Sequence, residues 1–302
     1  MNFSEVFSYR TQSVRDLVSV ILGPPLVNWT VGSCVGPLHT ELYAQNKTRL
    51  QALDEDSSEF DDWLLLHQKT RRLGYYFEQL VEWVLVNFVN VVNLERSLQI
   101  KGNGGQTQGE LDFWYVLDSK PVHLEVAIKF YLETDDGFVG PDVSRSQDRL
   151  DRKWNRLIHL QTQLLETPAG KAWLLERGIT DSACVTKQIL LKGHLFSRSE
   201  WGRVDELDRL RSESNTDLRS EFQEDLRYEH LDRARWLSPA VQSLESPTLW
   251  SWDEFKKLAS EKLLLGVRPW LIVESKRQTY SGVTAYFERR RFFVVPNGWT
   301  TG

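Results

Sequence analysis

Cysteine is scarce in this chain. Only Cys34 and Cys184 occur among 302 residues, and no Cys-x-x-Cys spacing links them. A cysteine-rich zinc site and a disulfide framework are therefore excluded, and both thiols are expected to be reduced and largely buried. The six histidines are scattered and form neither His-Glu-x-x-His nor His-x-His, so the familiar histidine-rich metal motifs are missing too. There is no Gly-x-Ser-x-Gly, which leaves an α/β-hydrolase unsupported. The glycine-rich run GNGGQTQG at 102–109 lacks the Gly-Lys-Ser/Thr ending of a phosphate-binding loop. No run of about 18 apolar residues is free of charge, so no membrane span is expected. Glu5 and Asp16 interrupt the N-terminal stretch, which does not read as a secretory signal. An excess of positive charge is also lacking. The net charge of −5 excludes a wholly basic surface but permits a local basic groove. These absences point to a cytoplasmic chain without a membrane partner.

What is present suits a sizeable core: 41% hydrophobic residues and 12 tryptophans. No linker-like composition divides the chain. One domain over 1–302 is expected, with a charged helical insertion or subdomain at 203–261. Periodicity predicts a helix over Ser13–Leu22, an irregular stretch to about Asp54, and helix over Glu55–Val92 broken near Gly74. Strands follow at Arg96–Lys101, Glu110–Leu117 and His123–Leu132. A helix is predicted over Asp148–Leu165, where Leu150, Trp154, Leu157, Leu160 and Leu164 recur at helical spacing. Val185–Gly193 reads as a strand, Arg203–Arg235 as exposed helix or a lid, and Trp270–Val273 and Ala285–Val295 as strands. Strands alternating with helices predict an α/β fold with a mixed central sheet flanked by helices.

The segment GELDFWYVLDSKPVHLEVAIKFYL, 109–132, reads as a hairpin with acids inside apolar strands. Side chains alternate along a strand. A turn of two or four residues places Asp112, Glu125 and Lys129 on one face, whereas an odd loop without a bulge separates them. Acids directly opposed or diagonal across two strands have Cβ atoms about 4.5–8 Å apart. Burying both costs several kcal/mol each unless something compensates. A divalent cation such as Mg²⁺ compensates both and suits phosphodiester hydrolysis. A nearby lysine then supports the attacking water or the phosphate. Two plainer readings stand beside this one: Lys129 neutralises Glu125, or one face of the hairpin is solvated.

Gly109-Glu110-Leu111-Asp112 followed by Leu124-Glu125-Val126 resembles the PD-(D/E)xK restriction-endonuclease-like superfamily. That resemblance implies a restriction-endonuclease-like core and a Mg²⁺- or Mn²⁺-dependent nuclease acting on DNA or RNA, with Asp112 and Glu125 as metal ligands. It departs at Ala127, which stands where the common variant has its lysine. Lys129 is the next residue on that face, about 6.6 Å further along the strand, and is the expected catalytic lysine. The preceding helix is expected to supply Glu78, with Glu82 one turn on as a competitor; Glu110 is a weaker adjunct. The following helix offers Arg149, Arg152, Lys153 and Arg156 to a phosphate backbone, and Gln161 to position substrate, as a helical glutamine does in the RecB-like branch. The stretches GPPL, ELD, EVAIKFYL, DRLDRK, LLKGHLF and RRRFFVVPNGW also resemble an uncharacterised bacterial domain-of-unknown-function family of that superfamily. The missing lysine at 127 leaves open a catalytically inactive module that binds nucleic acid or protein.

Overall fold

The computed structural model of the chain describes residues 3–27, 38–102, 104–142, 148–214, 225–263 and 268–299. The helices are α1 (Phe3–Val6), α2 (Gln12–Leu22), α3 (Thr40–Glu55), α4 (Ser58–Leu66), α5 (Leu73–Val84), α6 (Leu150–Arg156), α7 (Pro168–Glu176), α8 (Leu207–Ser214) and α9 (Trp252–Leu263). The strands are β1 (Val92–Lys101), β2 (Thr107–Leu117), β3 (Lys120–Thr134), β4 (Gly137–Val139), β5 (Thr186–Phe196), β6 (Trp201–Arg203), β7 (Leu226–His230), β8 (Val241–Gln242), β9 (Trp270–Tyr280) and β10 (Val283–Val295). The fold is mixed α/β. The chain divides into two compact units: a hairpin unit of Val20–Lys129 and Asp151–Gly193, and a terminal unit of Met1–Ser19, Phe130–Leu150 and His194–Gly302.

In the hairpin unit, β1 pairs with β2 and β2 with β3, both antiparallel, and β5 pairs with β3. The β2–β3 turn is Asp118-Ser119, with φ of 47° and 63°. Positive φ at both central residues is the type I′ geometry whose twist matches the flanking strands. It closes the pair Leu117–Lys120 and fixes every pair behind it, including Phe113–Leu124. Leu111, Phe113 and Tyr115 on one face of β2 are fully buried. Helix α5 buries Phe77, Leu80, Val81 and Val84, the i, i+3, i+4, i+7 stripe of a core-facing helix. Strand β5 runs so close to β3 that a Cβ at Gly193 would lie 1.7 Å from the Lys129 carbonyl oxygen, and φ there is +133°. Only glycine fits that crossing.

The terminal unit carries a second sheet in the order β6-β10-β9-β7, with β8 on β10. The β6–β10 pairing is parallel and the others antiparallel. Its core includes Tyr228, Phe255, Ile272 and Phe292. A bulge between Glu288 and Arg290 on β10 changes the pairing with β9, so that Arg290 lies opposite Glu274.

Several sequence expectations are corrected. The mixed sheet is the terminal one; the sheet that holds the hairpin is antiparallel. The stretch before Asp54 contains α3, whose Leu42, Tyr43, Asn46 and Leu50 are buried and whose first turn is capped by the His39 side chain. The break between α4 and α5, expected near Gly74, falls just before it at 67–72. Gly74 lies in the first turn of α5, where backbone N–H groups have no intrahelical acceptor and glycine costs little. Among the described residues of the charged run 203–235, helix is confined to α8 and short 3₁₀ turns, and the run supplies strand β7. Cys184 is exposed because it ends a 3₁₀ turn, and the next residue, Val185, takes the buried position. Cys34 lies outside the described residues. Among the described residues no helix is long and apolar enough to cross a membrane.

Candidate active site

Phe113 faces Leu124 in the hairpin ladder, so the next pair outward is Asp112 and Glu125. The ladder stops there. In its place the Asp112 carboxylate accepts the backbone N–H of Val126 at 2.9 Å. Asp112 is thereby held across β3 beside Glu125. Glu125 is completely buried, which removes the solvated-face reading of the hairpin. Its Oε1 lies 2.7 Å from Nε2 of His123, and its Oε2 accepts the Gln161 amide at 2.5 Å. Gln161 in turn accepts the Lys153 ammonium through its Oε1 at 3.2 Å. A continuous chain of contacts runs from His123 through Glu125 and Gln161 to Lys153.

The helix that supplies Lys153 and Gln161 explains their meeting. Lys153 lies on α6, and Leu157–Gln161 continues it as a π-helical turn. Eight residues of regular α-helix would carry Gln161 well off the face of Lys153. The wider π turn, an uncommon feature that recurs at functional sites, brings it back.

Electrostatics set the two sides of this cluster against each other. Burial, first, and the charge of Glu125, second, push the Asp112 carboxyl up to about 8. The Val126 N–H opposes this, Glu78 adds to it, and Lys153 opposes it. Burial pulls the Lys153 ammonium below its ordinary range, against the attraction of Asp112 and Glu125; Lys129 and Arg156 repel it further. An acid displaced upward beside a base displaced downward is the arrangement from which proton-transfer roles are drawn.

The same displacement tests whether the residues fit a metal ion. Two adjacent, desolvated carboxylates resist double ionisation, and a divalent cation reverses that preference. Among the described residues no group of three or more His, Cys, Asp and Glu is arranged to hold a metal. The fit is therefore not to a closed protein cage. Two carboxylates are what a hard cation such as Mg²⁺ would need from the protein, since it completes its shell with water and phosphate oxygens.

The other sequence-derived candidates fall around this centre. Glu78, on α5, makes an ion pair with Arg96 at 3.0 Å, and Glu82 reaches the same guanidinium at 2.5 Å. Burial raises the Glu78 carboxyl, Arg96 lowers it, and Glu110 and Glu125 raise it again, so all three acids share one field. Lys129 lies four residues beyond Glu125 on β3, and its charge is felt at Lys153. Arg152 and Arg156 are exposed on α6. Arg149 belongs to the terminal unit, where it donates to the Asp136 carbonyl at 2.8 Å. Two features escaped the sequence reading: the position of Lys153 beside the carboxylates and the engagement of His123. The i, i+4 spacing of Lys153 and buried Leu157 was a usable signal for the first.

A family model described as "Domain of unknown function (DUF1853)" matches residues 15–295. No curated protein and no solved structure matches the chain.

Proposed function

We propose that this chain, which belongs to the DUF1853 family, is a Mg²⁺- or Mn²⁺-dependent phosphodiesterase of the PD-(D/E)xK type, acting on DNA or RNA through a restriction-endonuclease-like core in the hairpin unit. One observation carries the reading. Asp112 and Glu125 are opposed on a buried hairpin, with Lys153 electrostatically engaged with both. A bound divalent cation would neutralise a phosphodiester and activate water there. Asp112 and Glu125 would hold it. Lys153, with its depressed proton affinity, suits the care of the attacking water or the charged phosphate, the role that sequence alone gives to Lys129. Gln161 fixes both Glu125 and Lys153. Glu78 adds negative charge at the edge of the site, and exposed Arg152 and Arg156 are available to neighbouring phosphates.

A second reading is a nuclease-like module that binds nucleic acid or protein without cleaving. It is favoured by Ala127 and by the hydrogen bonds already made to both Glu125 oxygens. Incubating the full chain with labelled single- and double-stranded DNA and RNA separates the two. Cleavage in Mg²⁺ or Mn²⁺ but not in EDTA, lost in Asp112→Asn, Glu125→Gln and Lys153→Met, supports the enzyme. Binding without cleavage under every condition supports the module.

A further inference from the structure

His123 is two residues before Glu125, so both side chains leave β3 on the same face, and it lies opposite Trp114. It is fully buried. Its Nε2 meets Glu125 Oε1, while its Nδ1 is buried without a hydrogen-bond partner. Such an orphaned nitrogen is costly, and the residue opposite His123 on β2 is the buried, largely apolar Trp114. An apolar side chain at 123 would satisfy the packing and leave no orphan. The imidazole is therefore explained by its one hydrogen bond among the described residues, to the carboxylate of Glu125.

That contact has a defined effect. With its proton on Nε2 the imidazole donates to Oε1, and the Gln161 amide donates to Oε2. Two donors on two oxygens fix the plane of the carboxylate. Each carboxylate oxygen retains a second lone-pair direction, so the clamp leaves room for a cation.

We infer that His123 is a positioning residue that holds the Glu125 carboxylate in one orientation for a divalent cation shared with Asp112. This rests on the metal-site reading given above. Its role resembles the outer hydrogen bonds that orient metal-binding side chains, whose loss typically costs 10–100-fold in affinity.

The test is calorimetric titration of the full chain with Mn²⁺, for wild type, Glu125→Gln, His123→Phe and His123→Gln, with melting curves of each in EDTA. The glutamine amide nitrogen can take the place of Nε2, so His123→Gln is the rescuing variant. Affinity reduced about tenfold or more in His123→Phe, and restored to near wild type in His123→Gln, supports the inference. Wild-type affinity that depends on Glu125 but is unchanged in His123→Phe overturns it and leaves the metal site standing, because His123 then serves packing alone. No Mn²⁺ binding by wild type overturns both. If His123→Phe does not fold, nitrogen NMR of wild-type His123 decides. Protonation at Nε2 supports the clamp, and a bare Nε2 facing the carboxylate overturns it.

Discussion

Glu125 in the hairpin unit and Glu274 in the terminal unit are both completely buried on β-strands, yet they are neutralised in opposite ways. Glu274 has Arg289 at 2.7 Å on one oxygen and Arg290 at 3.3 Å on the other, with the Tyr228 hydroxyl donating to the second at 3.2 Å. The bulge in β10 lets two consecutive arginines reach it. Glu125 makes no ion pair with arginine or lysine among the described residues. It has an imidazole and an amide, and beside it lies a second carboxylate pushed toward protonation. A buried charge closed by fixed countercharges is structural. A buried charge left short of countercharge, next to another acid, is built for a cation that arrives from outside.

Substitution of the two acids sharpens this contrast most. Glu125→Gln should reduce metal-dependent cleavage by about 1,000-fold or more while leaving the EDTA melting temperature equal or higher. Glu274→Gln should do the reverse. It strands two arginines, and the expected loss is about 3–5 kcal/mol in denaturant unfolding. Next in size, Lys153→Met should lower kcat about 100-fold with little change in KM, and Lys129→Met should lower it less. Equal losses would return the catalytic role to Lys129.

Acidity offers a third contrast. The raised Asp112 carboxyl means that the folded protein holds a proton the unfolded chain has released between the ordinary carboxylate range and about pH 8. Stability in EDTA should therefore fall as pH rises through that window. Asp112→Asn or added Mg²⁺ should flatten the slope, whereas Glu274→Gln should leave it unchanged. Smallest of all, Arg152→Ala and Arg156→Ala should each weaken nucleic-acid binding and reduce the slope of log affinity against log salt by about one.

The hairpin was legible in the sequence because strict two-residue alternation and a polar turn leave few registers. The paired acids follow from that register. Lys153 was read with its neighbours as a cation offered to a phosphate backbone; its i, i+4 spacing to buried Leu157 marks the inward face, but its meeting with Gln161 depends on the π turn, which no spacing rule anticipates. The strand β7 was hidden for another reason. Its charged residues are wholly or partly buried, as when Glu229, 2% exposed, accepts Arg235 at 2.8 Å. Sequence logic assigns such charge-dense runs to solvent. The length of β9 and β10 was underestimated because their ends at the connecting turn, Lys276–Tyr280 and Val283–Thr284, are polar or exposed.

The most direct test of the central claim is a Mn²⁺ soak of crystals of the full chain, read by anomalous scattering. The account predicts a peak within coordination distance of Asp112 and Glu125 that is absent in Asp112→Asn crystals. No peak there, with Asp112 still bonded to the Val126 N–H and Glu125 to His123 and Gln161 at saturating Mn²⁺, would contradict it.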